Sequence, residues 1–470
     1  MPVGSIAPEL IVLGGAVGVL LWALFAPRRL QAPGAAILAL AVIVAAGVAS
    51  WPMLRGGQGT TFFGTYAVDD TAVWAKLLVL GATAVTVLLS VEWFRTEPRH
   101  GEYYSLLLLS GLGAILLAGA ADLMEVLLGV LLASATGYVL AGYHRGHAPS
   151  GEAAIKYFLL GALANAAMIF GVALLFGLGG TTLLGGLRGE LAGAPAIALV
   201  AGAVLVLVGL LFKMGAVPAH AWMPDVAEGS PAPVAAFVTV VPKIGALIAV
   251  GRLVLALPED GVGWRPLIAV VAALTMTLGN LSALWQDDVR RLLGWSAVSQ
   301  SGYGLMAVVA LGRSDLAIPS LLFFLAAYAL ANLAAFGVVI ELRGRTDRAR
   351  YAGLGRAHPA LALALVLAFL SFVGIPPLAG FTAKLALFGA TIEAGYTWLA
   401  VLAVVNSVVS LAYYARVLAP AYFEPAGEPL PVLGRWARTA TLAMAAGVVA
   451  VGILAQPFLE GFSLAELFPG

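Results

Sequence analysis

The sequence predicts an all-α polytopic membrane protein of about fourteen transmembrane helices, two of them broken. Three observations carry this. Charged residues are 10% of the 470, against roughly 25% in soluble domains, and the mean hydropathy is +1.00. Apolar runs of about 20 residues, the length that spans a bilayer as a helix, recur along the whole chain. Two runs are longer than a simple span and are interrupted by glycine and proline. A soluble bundle of core helices would need polar faces, which these runs almost entirely lack.

The first run, Ile6 to Phe25, has no basic region before it and is expected to be a spanning helix rather than a cleaved signal. The expected spans are about 6–26, 34–53, 70–93, 102–120, 122–143, 153–177, 194–226, 231–256, 264–284, 288–311, 316–341, 358–393, 397–422 and 436–460. The seventh breaks near Gly215 to Pro218 and the twelfth at Gly374-Ile375-Pro376-Pro377. Proline in a helix removes a hydrogen bond and frees carbonyls, which in lipid must be satisfied by protein or water. The broken spans stand five apart, so they run in opposite directions. Reading helices 4–8 and 9–13 as two copies of one unit makes the copies inverted, with a transport site expected near the midplane. That reading rests on spacing, because no identity between the halves is visible. It divides the chain into 1–101 (helices 1–3), 102–256 (first repeat), 257–423 (second repeat) and 424–470 (helix 14).

Sixteen of the 25 basic residues fall on the odd-numbered loops: Arg28, Arg29, Arg95, Arg99, Arg145, Lys156, Arg290, Arg291, Arg343, Arg345, Arg348, Arg350, Arg356, Arg416, Arg435 and Arg438. Five fall on the even ones: Arg55, Arg188, Arg252, Arg265 and Arg313. The bias predicts cytoplasmic odd loops and both termini outside the cytoplasm. The net charge of +1 gives no case for nucleic acid or an acidic substrate. The absence of cysteine excludes cysteine-ligated iron–sulfur centres, thiol catalysis and disulfides. The histidines His100, His144, His147, His220 and His358 all fall near expected helix ends or in loops, so paired intramembrane haem ligands are missing.

The remaining basic residues, Lys76, Lys213, Lys243 and Lys384, lie within spans. A lysine at a helix centre costs roughly 2.5–3.5 kcal/mol, so Lys213, Lys243 and Lys384 together cost on the order of 8–10 kcal/mol. Burial disfavours the ammonium form of any lysine, which suits a group that exchanges protons. Three such groups beside hydrated helix breaks would form a relay; the alternative is that each reaches an interface or caps carbonyls at a break. Lys76, six residues after Asp70, is expected to reach the outer interface. No carboxylate stands at the middle of a span. Glu125 is the deepest, about four residues inside helix 5, with headgroup contact and a functional role equally open. Ser134, Thr136, Asn165, Ser299, Gln300, Tyr303, Asn332, Asn406 and Ser407 are intramembrane polar residues, most of them expected to be packing contacts. Ser299 and Gln300 are the candidates for a water path, and His220, just after the first break, for proton entry.

These residues carry a resemblance. Ala7-Pro8-Glu9-Leu10, Glu102-Tyr103-Tyr104-Ser105-Leu106-Leu107 and Ile155-Lys156-Tyr157-Phe158-Leu159-Leu160-Gly161-Ala162 are part of it, with Phe212-Lys213, Val217 to Val226, Glu228 to Val234, Gly374 to Phe381 with Lys384, and Asn406-Ser407-Val408-Val409-Ser410 with Tyr413-Tyr414 and Arg416. Over nearly its whole length the chain resembles the subunit N family of the bacterial proton-pumping NADH–quinone oxidoreductase (respiratory complex I). These antiporter-like membrane subunits are related to those of multisubunit sodium/proton antiporters. The resemblance implies inverted repeats and a proton-carrying axis at Lys213, Lys243 and Lys384. It implies a multi-pass subunit of the bacterial inner membrane that binds no cofactor itself, with NADH, FMN, iron–sulfur clusters and quinone in partner subunits. It also implies a helix 5 glutamate paired with the helix 7 lysine, and there the chain departs: aligned on Asp122-Leu123 and Gly129, that position is Leu131. Glu125 lies about 9 Å along the helix and about 120° around it from Leu131, so it cannot substitute without rotation or a water bridge. The resemblance therefore points to a variant that keeps the scaffold and the lysine axis with an altered input half-channel. A sodium/proton antiporter subunit and a structural paralogue with impaired pumping stay open as alternatives.

Overall fold

The computed structural model describes residues 3–54, 59–95, 97, 99–259, 263–426, 430 and 432–467. Arg55, used above for orientation, lies outside the described residues. The protein is a bundle of helices. Its one described sheet is a two-stranded hairpin, Gly59–Thr61 against Tyr66–Val68, between the second and third spans. Among the described residues, 12 helices are long and apolar enough to cross a membrane. They match twelve of the expected spans. The tenth expected span is the helix Val289–Ala310, made more polar by Arg290, Arg291 and its run of serines. The twelfth is split into Pro359–Val373 and Ala379–Glu393.

Local chemistry sets several helix starts. Asp69, Asp122 and Asp288 stand just before helices and accept hydrogen bonds from the backbone N–H groups of Ala72, Met124 and Arg291 at 2.7–2.8 Å, which satisfies donors the first turn would leave free. The seventh span runs as Ala196–Met214 and resumes as Trp222–Gly229. Gly215 ends the first piece at φ +70°, in the left-handed region, and a side chain there would also meet Met223 Cε at 2.4 Å. Gly374, at φ +93°, ends the first piece of the twelfth span in the same way.

A third break is a finding. The eighth span, expected to be continuous, is Ala232–Val238 followed by Val241–Ala256. Pro242 has no N–H to donate, and it disfavours the helical region for the residue before it. Lys243 therefore sits in the first turn after a break and Lys384 in the second turn after one, whereas Lys213 sits just before one. The stretch Ala232–Ala256 is buried along all but Leu255, so it forms the centre of the bundle, while the first two spans lie at the periphery.

Two buried ion pairs bind the periphery to this centre. Lys76 Nζ meets Glu9 Oε1 at 2.5 Å with both side chains buried, and Tyr66 Oη donates to the same oxygen at 2.6 Å. The expectation that Lys76 reaches the outer interface is thus corrected: a carboxylate on the first helix neutralises it inside the protein. Arg252, counted above among the loop arginines, is fully buried on the central helix and pairs with Asp69, with Nη1 2.7 Å from Oδ2 and Nη2 2.8 Å from Oδ1. Its remaining donors reach the carbonyls of Ala118 and Leu467. Arg265 is likewise buried, held by Glu259.

Candidate functional site

Lys213, Lys243 and Lys384 are all buried, at 0%, 0% and 4% exposure, and none of them extends to a headgroup region. Each is held by neutral oxygens, with no carboxylate among the ion pairs of the described residues. Lys213 Nζ donates to Ser134 Oγ at 3.2 Å and to Tyr157 Oη at 3.3 Å. Lys243 Nζ donates to the Ala297 carbonyl at 2.5 Å and to Tyr328 Oη at 3.3 Å, and lies 4.5 Å from the centre of the Tyr328 ring. Lys384 Nζ donates to Ser407 Oγ at 2.9 Å and to the Val373 carbonyl at 3.2 Å, 4.0 Å from the centre of the Tyr303 ring. Lys384 therefore caps one carbonyl freed at its own break, as the capping alternative expects, and faces a hydroxyl as well.

The helix breaks are stabilised by side chains from neighbouring elements. At the first, Trp222 Nε1 donates to the Phe212 carbonyl at 2.9 Å, Thr275 Oγ1 accepts from the Val217 N–H at 3.1 Å, and Ser301 Oγ lies 2.6 Å from the Met214 carbonyl. These bonds answer the demand that lipid-depth backbone groups be satisfied within the protein. Trp222 also stacks on Tyr157 with ring centres 4.1 Å apart, which fixes the hydroxyl that receives Lys213.

The three lysines converge on the helix Val289–Ala310. Ser301 Oγ is within reach of Met214 O at 2.6 Å and of Ala297 O, the Lys243 acceptor, at 3.1 Å. Its single proton can bond either, so one hydroxyl joins the break beside Lys213 to the carbonyl that holds Lys243. Two residues further on, Tyr303 Oη lies 3.0 Å from Ser407 Oγ, the partner of Lys384. On the far side of Lys243, Tyr328 Oη donates to the Thr239 carbonyl at 2.9 Å, at the break in the eighth span. A cavity of 280 Å³ lined by Gly374, Phe381, Lys384, Ser407 and Leu411 flanks the third lysine.

The other expected site residues stand apart from the lysines. Glu125 is part-buried near Asp122, Glu9 and Tyr66, at the end of the fifth helix away from Lys213. Leu131 is 36% exposed, and Ser134, one turn on, supplies the contact to Lys213. His220 lies in the first break with its ring 5.6 Å from that of Trp295. Gln300 is buried beside Tyr414. Ser299 packs where Gly279 lets two helices approach: a methyl on that glycine would fall 2.6 Å from the Ser299 nitrogen. Tyr157, Tyr328 and Ser301 were not singled out from the sequence. The signal available for each was a hydroxyl-bearing side chain in an otherwise apolar run. No group of three histidine, aspartate or glutamate side chains among the described residues is arranged to hold a metal.

A family profile described as NADH:quinone oxidoreductase/Mrp antiporter, TM, matches residues 120–410. The NADH-quinone oxidoreductase subunit N of Mycobacterium sp. (strain JLS) is 43% identical over 455 residues, covering 96% of each chain. Subunit N 1 of Streptomyces griseus is 44% identical, over 96% of this chain and 95% of that one. A chain of the respiratory complex I from Thermus thermophilus with bound aureothin superposes with a TM-score of 0.82 at 32% identity, covering 98% of this chain and 100% of that one. Broken helices, buried lysines and full-length similarity agree, and the chain belongs to the NADH:quinone oxidoreductase/Mrp antiporter transmembrane family, among its NADH-quinone oxidoreductase subunit N members.

Proposed function

We propose that this chain is a proton-translocating membrane subunit of an NADH–quinone oxidoreductase, and that Lys213, Lys243 and Lys384 pass protons along its long axis. The observation that carries the reading is the set of three buried lysines held by hydroxyls and carbonyls alone and joined through one polar helix. A lysine held by a carboxylate, such as Lys76, is engaged in an ion pair. One bonded only to neutral oxygens can lose and regain its proton. NADH, FMN, iron–sulfur clusters and quinone belong to partner subunits, where quinone reduction would drive charge shifts along the lysines. Helices 4–8 and 9–13 act as two inverted units, and both termini face away from the cytoplasm.

Lys213→Ala or Lys384→Ala, introduced into the assembled complex, is expected to lower the protons pumped per NADH oxidised by sealed vesicles. An unchanged ratio with normal assembly contradicts the relay. A sodium/proton antiporter subunit is the second reading, kept by the Mrp part of the family description; proton flux driven by an imposed sodium gradient without NADH would favour it.

A further inference from the structure

The relay needs a source of protons for Lys213, and a group on the fifth helix is placed to supply them. Tyr138 stands four residues after Ser134, one turn further on the same helix face. Its ring meets Tyr157 edge to face with centres 4.8 Å apart, and meets Phe158 at 5.6 Å. Its hydroxyl is buried with no hydrogen bond of full geometry among the described residues, and the side chains of Ser134 and Asn165 stand close enough to take up that role. Asn165 Oδ1 is also buried and unpartnered. Buried polar atoms of this kind are uncommon, and each calls for an explanation. On its other side, Tyr138 lines a cavity of 240 Å³ walled by Glu97, Glu102, Arg99, Arg145 and Tyr143, at the arginine-rich face of the bundle. The hydroxyl reaches this place only because residue 161 is glycine: a methyl there would fall 1.9 Å from Tyr138 Oη.

We propose that Tyr138 is the proton-carrying link between this charged cavity and Lys213, a role that rests on the lysine relay above. Glu97 and Glu102 gather protons at the cavity. A proton accepted at the Tyr138 oxygen is matched by the hydroxyl's own proton leaving toward Ser134. Ser134 makes the same exchange and delivers its proton to the Lys213 amine. Both hydroxyls end as they began, and Lys213 changes from amine to ammonium, so one proton is moved and nothing else is consumed.

The test compares protons pumped per NADH oxidised in sealed vesicles for the wild type, Lys213→Ala and Tyr138→Phe, with complex assembly verified in each. Tyr138→Phe keeps the ring and its packing on Tyr157 and Phe158, so a purely structural tyrosine would leave the ratio unmoved. The expected result is a loss as large as that of Lys213→Ala. Gly161→Ala, which crowds the same hydroxyl and also the Phe212 ring at 2.8 Å, should give the same loss, and it carries the test if Tyr138→Phe does not assemble, provided that Phe212→Leu leaves the ratio unchanged. A wild-type ratio in Tyr138→Phe beside a lowered one in Lys213→Ala overturns this inference and leaves the relay standing. A wild-type ratio in Lys213→Ala overturns both.

Discussion

Lys243→Met should lower proton pumping by the complex, at a net cost to the folded chain of only a few kcal/mol. Lys243 is fully buried, and its two acceptors are a carbonyl and a tyrosine hydroxyl. Methionine fills a similar volume without an ammonium to desolvate, which removes a burial cost of roughly 2.5–3.5 kcal/mol. The opposing terms are the lost hydrogen bonds, about 1.5–3 kcal/mol each where one group is charged, and the contact with the Tyr328 ring, about 2 kcal/mol when desolvated. The hydroxyl of Tyr328 keeps its own bond to Thr239, and the Ala297 carbonyl keeps Ser301 within reach. Few groups are therefore stranded. Thermal unfolding of the purified complex and pumping by vesicles separate the two effects. Failure of the complex to assemble, rather than a modest fall in its unfolding temperature, would make Lys243 a structural residue.

Asp69→Ala should be the most destabilising single change of this set, by about 3–5 kcal/mol. It strips Arg252 of the carboxylate it pairs with, at a position where both side chains are fully buried. It also removes the cap that receives the Ala72 N–H at the start of the third span, typically worth about 1 kcal/mol. The double change Asp69→Leu with Arg252→Met should recover most of the loss, because removing both members of a buried pair is far cheaper than removing one. Denaturation in detergent, followed by near-ultraviolet circular dichroism, reads both; equal stability of Asp69→Ala and the wild type would show that the pair is solvated.

How much of this was legible in the sequence follows from how local each signal is. Lys213, Lys243 and Lys384 stood out because a charge within a long apolar run has few neutral explanations. The breaks at Gly215 and Gly374 were legible because glycine and proline cluster there. The break at Thr239-Val240 was missed because Pro242 stands alone, and a lone proline can be absorbed in the first turn of a helix. Lys76 was misread because its partner, Glu9, lies on a different helix and near a chain end, where a carboxylate looks like a headgroup contact. Arg252 was misplaced for the same reason: Asp69 and Arg252 each sit near a helix end, and only the packing brings them together. Tyr157, Tyr328 and Ser301 carried no distinguishing mark. A tyrosine or serine on a spanning helix is usually a packing residue, and what makes these three different is the lysine or freed carbonyl they meet across the bundle.

Protons cross this chain on three lysines held by neutral oxygens. The most direct measurement is the number of protons moved per NADH oxidised, in sealed vesicles holding the assembled complex, with Lys213, Lys243 and Lys384 all replaced by methionine. The lysine relay predicts a ratio lowered by this chain's whole share, with the complex still intact. A ratio equal to that of the wild type would contradict it.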